Sequence, residues 1–307
     1  MIETRERKSR LLGAGEIAVS FEFFPPKTQK MEDQLWTSIK RLAPLCPEFV
    51  SVTYGAGGTT RERTHATVER IVKSTHLRPA AHLTCVDASR GEVDTVAKAY
   101  WNVGVRHIVA LRGDPEGGVG KIYQPLQGGY INAADLVKGL KKIANFEISV
   151  GGYPEKHPQS KTLQEDMDNL KAKVDAGADR IITQFSFDNA HFLRFLERAR
   201  AAGIWIPIIP GIVPIHNFPQ VAGFAVRAGA TVPAWLARRF EGLDEDPETS
   251  RMVAAAVATE QVLNLVDEGI KNFHFYTLNR ADLVYAICHL LGLRPLNANP
   301  LEKRLSA

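Results

Sequence analysis

Short apolar runs alternate along this chain with longer amphipathic stretches, and the alternation begins near residue 17 and persists almost to the end. The short runs fall at 17–23, 49–53, 80–86, 107–111, 147–150, 180–184, 206–209 and 273–277, and they read as strands. Between them, helical periodicity covers 30–44, 61–75, 90–102, 133–144, 162–176, 189–202, 217–228 and 281–291. In 162–176, for example, Leu163, Met167, Leu170 and Val174 make one apolar stripe, and Gly177 follows as a stop. A further helix is predicted near 248–268, between the seventh and eighth strands, with Met252, Val253, Ala256, Val257, Val262, Leu263 and Val266 as its core side. Strands alternating with helices in this way predict an α/β fold, a closed (β/α)8 TIM barrel over 17–295. An N-terminal arm, 1–16, precedes it and a tail, 296–307, follows. An open doubly wound sheet is the alternative. Its dinucleotide fingerprint is missing, because GAGGTT at 55–60 lacks the third glycine and follows the second strand rather than the first.

The first strand organises the rest. In VSFEFFPP (19–26), Val19, Phe21 and Phe23 form an apolar face toward the helices. Ser20 and Glu22 form a small polar face, and Pro25-Pro26 ends the strand just past the carboxylate. A glutamate at a strand end among aromatic side chains suits a general acid with a pKa raised from about 4.3 toward neutrality. The plainer alternative is a surface glutamate after an edge strand.

The other predicted strand ends are also polar. They present Thr53-Tyr54, His82 with Thr84, Arg112-Gly113-Asp114, Tyr153 with His157, Gln184, and Tyr276, Thr277, Asn279 and Arg280. In a barrel, the carboxyl ends of the strands are where chemistry is done, so this ring of hydrogen-bonding groups favours an enzyme. Taken singly, each has a plain reading: Arg112 and Asp114 as a loop ion pair, His82 as a core histidine, and the stripe Asp166, Asn169, Lys173 as a solvated helix face. No lysine lies at a strand end, which argues against Schiff-base aldol chemistry.

Composition narrows the class. The hydrophobic fraction of 45% and charged fraction of 23% are those of a globular chain with a full core. A net charge of +4 without basic runs gives no reason to expect nucleic acid, and no apolar segment approaches the roughly 20 residues of a membrane span. Cys46, Cys85 and Cys288 are far apart, and the histidines lack HExxH spacing, so no metal site is expected. The charged start is no secretory signal, and a cytoplasmic location is expected.

In combination, VSFEFFPP, FVSVTYGAGG, AHLTC, HIVALRGDP, ISVGGYPEKHP, NLKAKVDAGADRIITQF, PGIVPIHNF, PAWLARRF and FHFYTLNRADLVYAICHLLG resemble the methylenetetrahydrofolate reductases, in the bacterial form that has the barrel alone. The resemblance implies FAD as cofactor and NADH or NADPH as electron donor. It also implies a ping-pong reduction of 5,10-methylenetetrahydrofolate to 5-methyltetrahydrofolate, feeding methionine synthesis. It makes Glu22 the general acid and Asp114 the carboxylate near the flavin and pterin. Thr53, Tyr54, Ala56, His82, Arg112, Gly113, Asp114, Ala133, Tyr153, His157, Asp166, Asn169 and Lys173 become flavin-contacting positions. Gln184, Gln220, Phe224, Tyr276 and Arg280 become substrate-contacting positions. Small-molecule folate and nicotinamide are the expected partners, with a homo-oligomer as the expected assembly. Ser186 departs from the family, which usually has an aromatic there, and the stretch 117–132 is longer than usual. A non-redox barrel lyase, or a folate-binding protein without turnover, is the competing reading.

Overall fold

Strand β1 (Ala18–Phe23) has Val19, Phe21 and Phe23 buried on one face and Ser20 and Glu22 buried on the other. That double burial is what a stave of a closed barrel requires. The computed structural model describes residues 17–54, 61–115 and 123–296. In it, β1 is followed by β2 (Val50–Val52), β3 (Pro79–Thr84), β4 (His107–Leu111), β5 (Glu147–Gly152), β6 (Arg180–Phe185), β7 (Ile208–Ile212) and β8 (Asn272–Tyr276), which close in sequence order into a parallel barrel. β1 pairs with both β2 and β8, with Glu22 opposite Ser51 on one side and Tyr276 on the other.

The helices are α1 (Gln29–Leu42), α2 (Arg61–Ser74), α3 (Arg90–Asn102), α4 (Ala133–Ile143), α5 (Leu163–Asp175), α6 (Asn189–Ala201), α7 (Phe218–Ala228), α8 (Ala234–Phe240), α9 (Pro247–Asp267) and α10 (Asp282–Leu290). Side-chain caps start many of them. Thr28, Asn132, Thr162 and Asn217 each accept from a first-turn amide, and Ser89 with Glu92 forms a full capping box.

Several elements differ from the sequence expectation. β7 runs on past Ile209 through Pro210 and Gly211. A proline cannot donate to a ladder. Here its place coincides with a shift of register against β6, where the Thr183 hydroxyl accepts the Gly211 amide at 3.1 Å. α8 was not anticipated. It packs with α7 and α9 around a second apolar cluster in which Phe218 and Phe240 stack at 4.9 Å. In α9 the buried face is Ala254, Val257, Ala258, Val262 and Leu265, whereas Met252 is 62% exposed. Aliphatic residues occur all round that helix, so periodicity alone does not select its face. Leu163, counted in the α5 stripe, is also exposed.

Two residues expected to display polar groups at the mouth are instead structural ties. Asn279, in a left-handed backbone conformation, donates to Phe24 O and accepts from Phe24 N, both at 2.9 Å. The Thr277 hydroxyl donates to Glu22 O at 2.6 Å. Together they clamp the end of β1 to the β8 loop. Among the described residues, no helix is long and apolar enough to cross a membrane.

Candidate active site

Inside the barrel, Phe49, Ala80, Val109 and Ile182 form an apolar cluster, with the His107 ring edge-on to Phe49 at 4.7 Å and the Arg180 guanidinium 5.0 Å over it. Beside it, side-chain alternation brings Ser20 and Glu22 from β1, Ser51 from β2, His82 from β3 and His274 from β8 into one polar, buried group. The Ser51 hydroxyl donates to Glu22 Oε2 at 3.2 Å. His82 Nε2 lies 3.2 Å from the same oxygen, and His274 Nε2 lies 3.5 Å from it. Neither Nε2 has an aligned hydrogen-bond partner. These imidazoles are therefore electrostatic neighbours of the carboxylate. On its other side, His274 Nδ1 is 2.7 Å from Ser20 Oγ.

This arrangement corrects the expected pKa of Glu22. Burial does push the carboxyl up, as anticipated, but the His82 and His274 rings outweigh it and hold the group at about 2. Burial in turn holds His274 below the ordinary imidazole value, against the pull of Glu22. Phe24, one of the aromatic side chains of the VSFEFFPP stretch, lies beyond the strand and is 37% exposed, so it gives the carboxyl little apolar cover. The groups that face Glu22 are polar.

Tyr276, next inward on β8, has its hydroxyl committed to Thr183 O at 2.8 Å. Its ring passes so close to β7 that a Cβ on Gly211 would sit 2.5 Å from it, so only glycine fits there. Burial, then Glu22 and Tyr153, raise the Tyr276 phenol well above its usual pKa, which keeps it neutral.

A second group gathers at the mouth beyond β4 and β5. Gly113 turns with φ +84°, where a Cβ would press on Val86 at 2.5 Å. The Arg112 guanidinium lies 4.6 Å over Tyr123 and 3.7 Å from Asp114, a loose ion pair. The Tyr153 and His157 rings meet edge to face at 4.5 Å. Lys173, reaching up from α5, donates to Gly151 O at 2.6 Å. Burial, opposed by Asp166 and reinforced by Arg112, brings the Lys173 ammonium down to about 8. Burial, then Arg112, lowers His157, and burial, then Asp114, pushes Tyr153 up to about 12. Asp166 accepts from Ser160 at 2.9 Å, while Asn169 is exposed one turn on. Thus Arg112, Asp114, Tyr153, His157, Asp166 and Lys173 are electrostatic neighbours.

The remaining expected residues are more dispersed. Thr53 follows β2 with its amide on Phe23 O, and Tyr54 accepts from Arg61 at 2.6 Å. Ala133 opens α4. Ala56 lies outside the described residues, as does part of the stretch 117–132. Gln184 turns its Oε1 back to the Phe185 amide at 3.0 Å. Gln220 and Phe224 are exposed on α7, with the Arg227 guanidinium 4.8 Å over the Phe224 ring. Arg280 lines a separate cavity of about 380 Å³ with His216, Phe240 and Arg251. No metal-holding group of His, Cys, Asp or Glu occurs among the described residues.

The sequence reading missed His274 and Ser51 as partners of Glu22. The signal was present: His274 shares its strand face with Tyr276, and Ser51 is the polar residue between Val50 and Val52.

Comparison with known proteins gives a consistent picture. The family model for methylenetetrahydrofolate reductase matches residues 7–292. The 5,10-methylenetetrahydrofolate reductases of Salmonella typhimurium and Escherichia coli are each 54% identical over 281 residues, covering 92% of this chain and 93% of theirs. A methylenetetrahydrofolate reductase (NADH) of Arabidopsis thaliana is 36% identical over 91% of this chain, which corresponds to 49% of that longer protein. Among solved structures, an uncharacterised Clostridium thermocellum protein that binds two copies of 5-methyl-5,6,7,8-tetrahydrofolic acid superposes with a TM-score of 0.61 at 15% identity. It covers 89% of this chain and 93% of its own, and the likeness is one of fold.

Proposed function

The chain belongs to the methylenetetrahydrofolate reductase family, and from that premise we propose that the barrel mouth holds FAD beside 5,10-methylenetetrahydrofolate, with Glu22 supplying the proton. The observation that carries the reading is Glu22 itself: a buried carboxylate with Ser51, His82 and His274 around one oxygen, at the carboxyl end of the first strand. The residues present fit the cofactor. Arg112 and Lys173 supply cations and the neutral His157 ring a hydrogen-bonding nitrogen, a rim suited to a diphosphate, and the buried Lys173 ammonium gains most from an anion. Asp166 and Asn169 on the same helix suit the polar hydroxyl chain. When bound, the flavin supplies the hydride that it has taken from NADH or NADPH.

The chain's own residues do the rest. Phe224 offers an exposed ring face for stacking, and Arg280 offers a guanidinium for the folate's carboxylates. Glu22 Oε2 delivers a proton to the bridging nitrogen of the five-membered ring, so that the methylene carbon opens to an electrophilic iminium. Glu22 is ionised in the free protein, so its proton is taken up in the loaded cleft, and His82 and His274, within 3.5 Å of the same oxygen, stabilise the carboxylate left behind. Tyr276, kept neutral, braces the wall between β6 and β8. The direct test is optical. The purified protein loaded with FAD should be yellow, bleach anaerobically on adding NADH or NADPH, and recover its colour with methylenetetrahydrofolate. A protein that gains no bound flavin absorbance on incubation with FAD rejects the reading.

Lys173 gives a pH signature. Its folded pKa is depressed to about 8, so the free protein loses the positive charge as pH rises through that value. An anionic diphosphate restores the charged form on binding. FAD affinity should therefore be flat below pH 8 and weaken above it, by up to about tenfold per pH unit. Lys173→Met should bind FAD more weakly and lose this dependence. A wild-type affinity constant across that range removes Lys173 from the phosphate role.

A further inference from the structure

We propose that Glu155 is a positioning residue that ties the proposed flavin loop to the proposed substrate helix, and so sets the width of the cleft that both substrates enter. Glu155 lies in the loop after β5, between Tyr153 and His157, with its side chain 13% exposed. Its two oxygens are shared among separate elements. Oε1 accepts the Thr231 amide at 3.0 Å, and Oε2 accepts the Thr231 hydroxyl at 2.5 Å. Thr231 sits just beyond α7, the helix that carries Gln220 and Phe224. The Ser186 hydroxyl, two residues past Gln184, donates to Oε1 at 3.4 Å, and His191 Nε2 of α6 stands 3.9 Å from Oε2. One carboxylate thus joins the loop after β5, the loop after β6 and the end of α7.

The same seam is closed sterically. Gly229, with φ +72°, caps α7, and a Cβ there would lie 2.6 Å from Pro158 of the flavin loop. Arg198 of α6 holds Pro154 O at 3.1 Å, so the loop is anchored from beneath as well. The neighbouring Lys156 takes φ +136°, an unusual backbone conformation for a residue with a side chain. A loop bent that way needs ties to stay in place. Between its ends, α7 carries the exposed Gln220 and the Phe224 ring, which meets Arg227 of the same helix at 4.8 Å. The carboxylate therefore fixes the end of a helix whose other end is seated by Phe218 on Phe240, so the exposed face between them is held at a set distance from the loop after β5. Ser186 belongs to this seam. Its hydroxyl stands between Asp188 O at 3.2 Å and the carboxylate at 3.4 Å.

The proposal rests on the flavin and folate reading given above. The test uses Glu155→Gln, Thr231→Val, Thr231→Ser and the Glu155→Gln/Thr231→Val double variant. Losing a charge-assisted hydrogen bond at this seam should raise KM for both folate and nicotinamide roughly 5- to 20-fold. The FAD dissociation constant, from titration of the apoprotein, should rise by a similar factor. The rate of flavin reduction at saturating donor should stay within a few-fold of wild type. Thr231→Val should reproduce most of these changes, the double variant should be little worse than Glu155→Gln, and Thr231→Ser should behave as wild type. A Glu155→Gln protein that melts lower but keeps both KM values and its FAD affinity overturns the positioning role. So does a double variant whose losses simply multiply. A wild-type protein that takes up no FAD removes the functional reading and this proposal together. Normal wild-type turnover beside an unaltered Glu155→Gln removes the proposal alone.

Discussion

Glu22→Gln should separate the two half-reactions. The amide keeps the size of the side chain and its contact with Ser51, but it has no acid proton to give. Flavin reduction by the nicotinamide donor needs no acid at this position and should remain within a few-fold of wild type. Oxidation of the reduced flavin by methylenetetrahydrofolate should fall by roughly 10²–10⁴-fold, the range attributed to general acid catalysis. Anaerobic stopped-flow of each half-reaction measures both, and equal losses in the two would show a damaged cleft rather than a missing acid. The apoprotein offers a second readout. Glu22 has a depressed folded pKa of about 2, so its contribution to stability is present above the unfolded carboxylate value and is lost as pH falls toward 2. Acid melting curves of Glu22→Gln should lack that component.

The position of Glu22 was legible because strand periodicity separates Val19, Phe21 and Phe23 from Ser20 and Glu22, and parallel βα alternation closes the barrel around that face. Its protonation was not legible. Burial can be inferred from a local pattern, but the partners that reverse its effect arrive from β2, β3 and β8, and the pairing of Glu22 with Tyr276 spans almost the whole chain. For the same reason the role of Glu155 was invisible: its partner Thr231 is distant in sequence and lies next to α8, a helix of a single short stretch. Pro210 misled for a different reason. In isolation a proline ends a strand, and only the register shift against β6 shows how this one is accommodated. The stripe Asp166, Asn169 and Lys173 reads as solvated from α5 alone. It acquires a direction only when Lys173 is seen on Gly151 O beside Arg112.

His274→Phe should move the pH profile of the folate half-reaction and leave the nicotinamide half-reaction where it is. The ring of His274 lies against Phe49 at 5.6 Å and Tyr276 at 5.3 Å, so phenylalanine keeps the packing while removing both nitrogens. In the native chain Nδ1 is held 2.7 Å from the Ser20 hydroxyl, and Nε2 faces Glu22 at 3.5 Å. Burial favours the neutral carboxyl, and the two imidazoles oppose it. Deleting one of them leaves burial less opposed, so the Glu22 pKa must rise, by about 1–2 units for the loss of one close partner. A general acid is active in its protonated form, so the alkaline limb of the folate step should shift to higher pH by the same 1–2 units. At a fixed pH on that limb, the rate relative to each protein's own maximum should be about 10- to 100-fold greater in the variant. The maximum itself should fall, because the carboxylate left after proton transfer has lost a stabilising neighbour. Ser20→Ala, which removes the Nδ1 contact that holds the ring toward Glu22, should shift the limb in the same direction by less. A purely structural His274 predicts something else: a lower melting temperature with the limb unmoved. Stopped-flow oxidation of the reduced flavin across pH, in wild type and both variants, decides between them, and an unmoved limb in His274→Phe removes this residue from control of the acid.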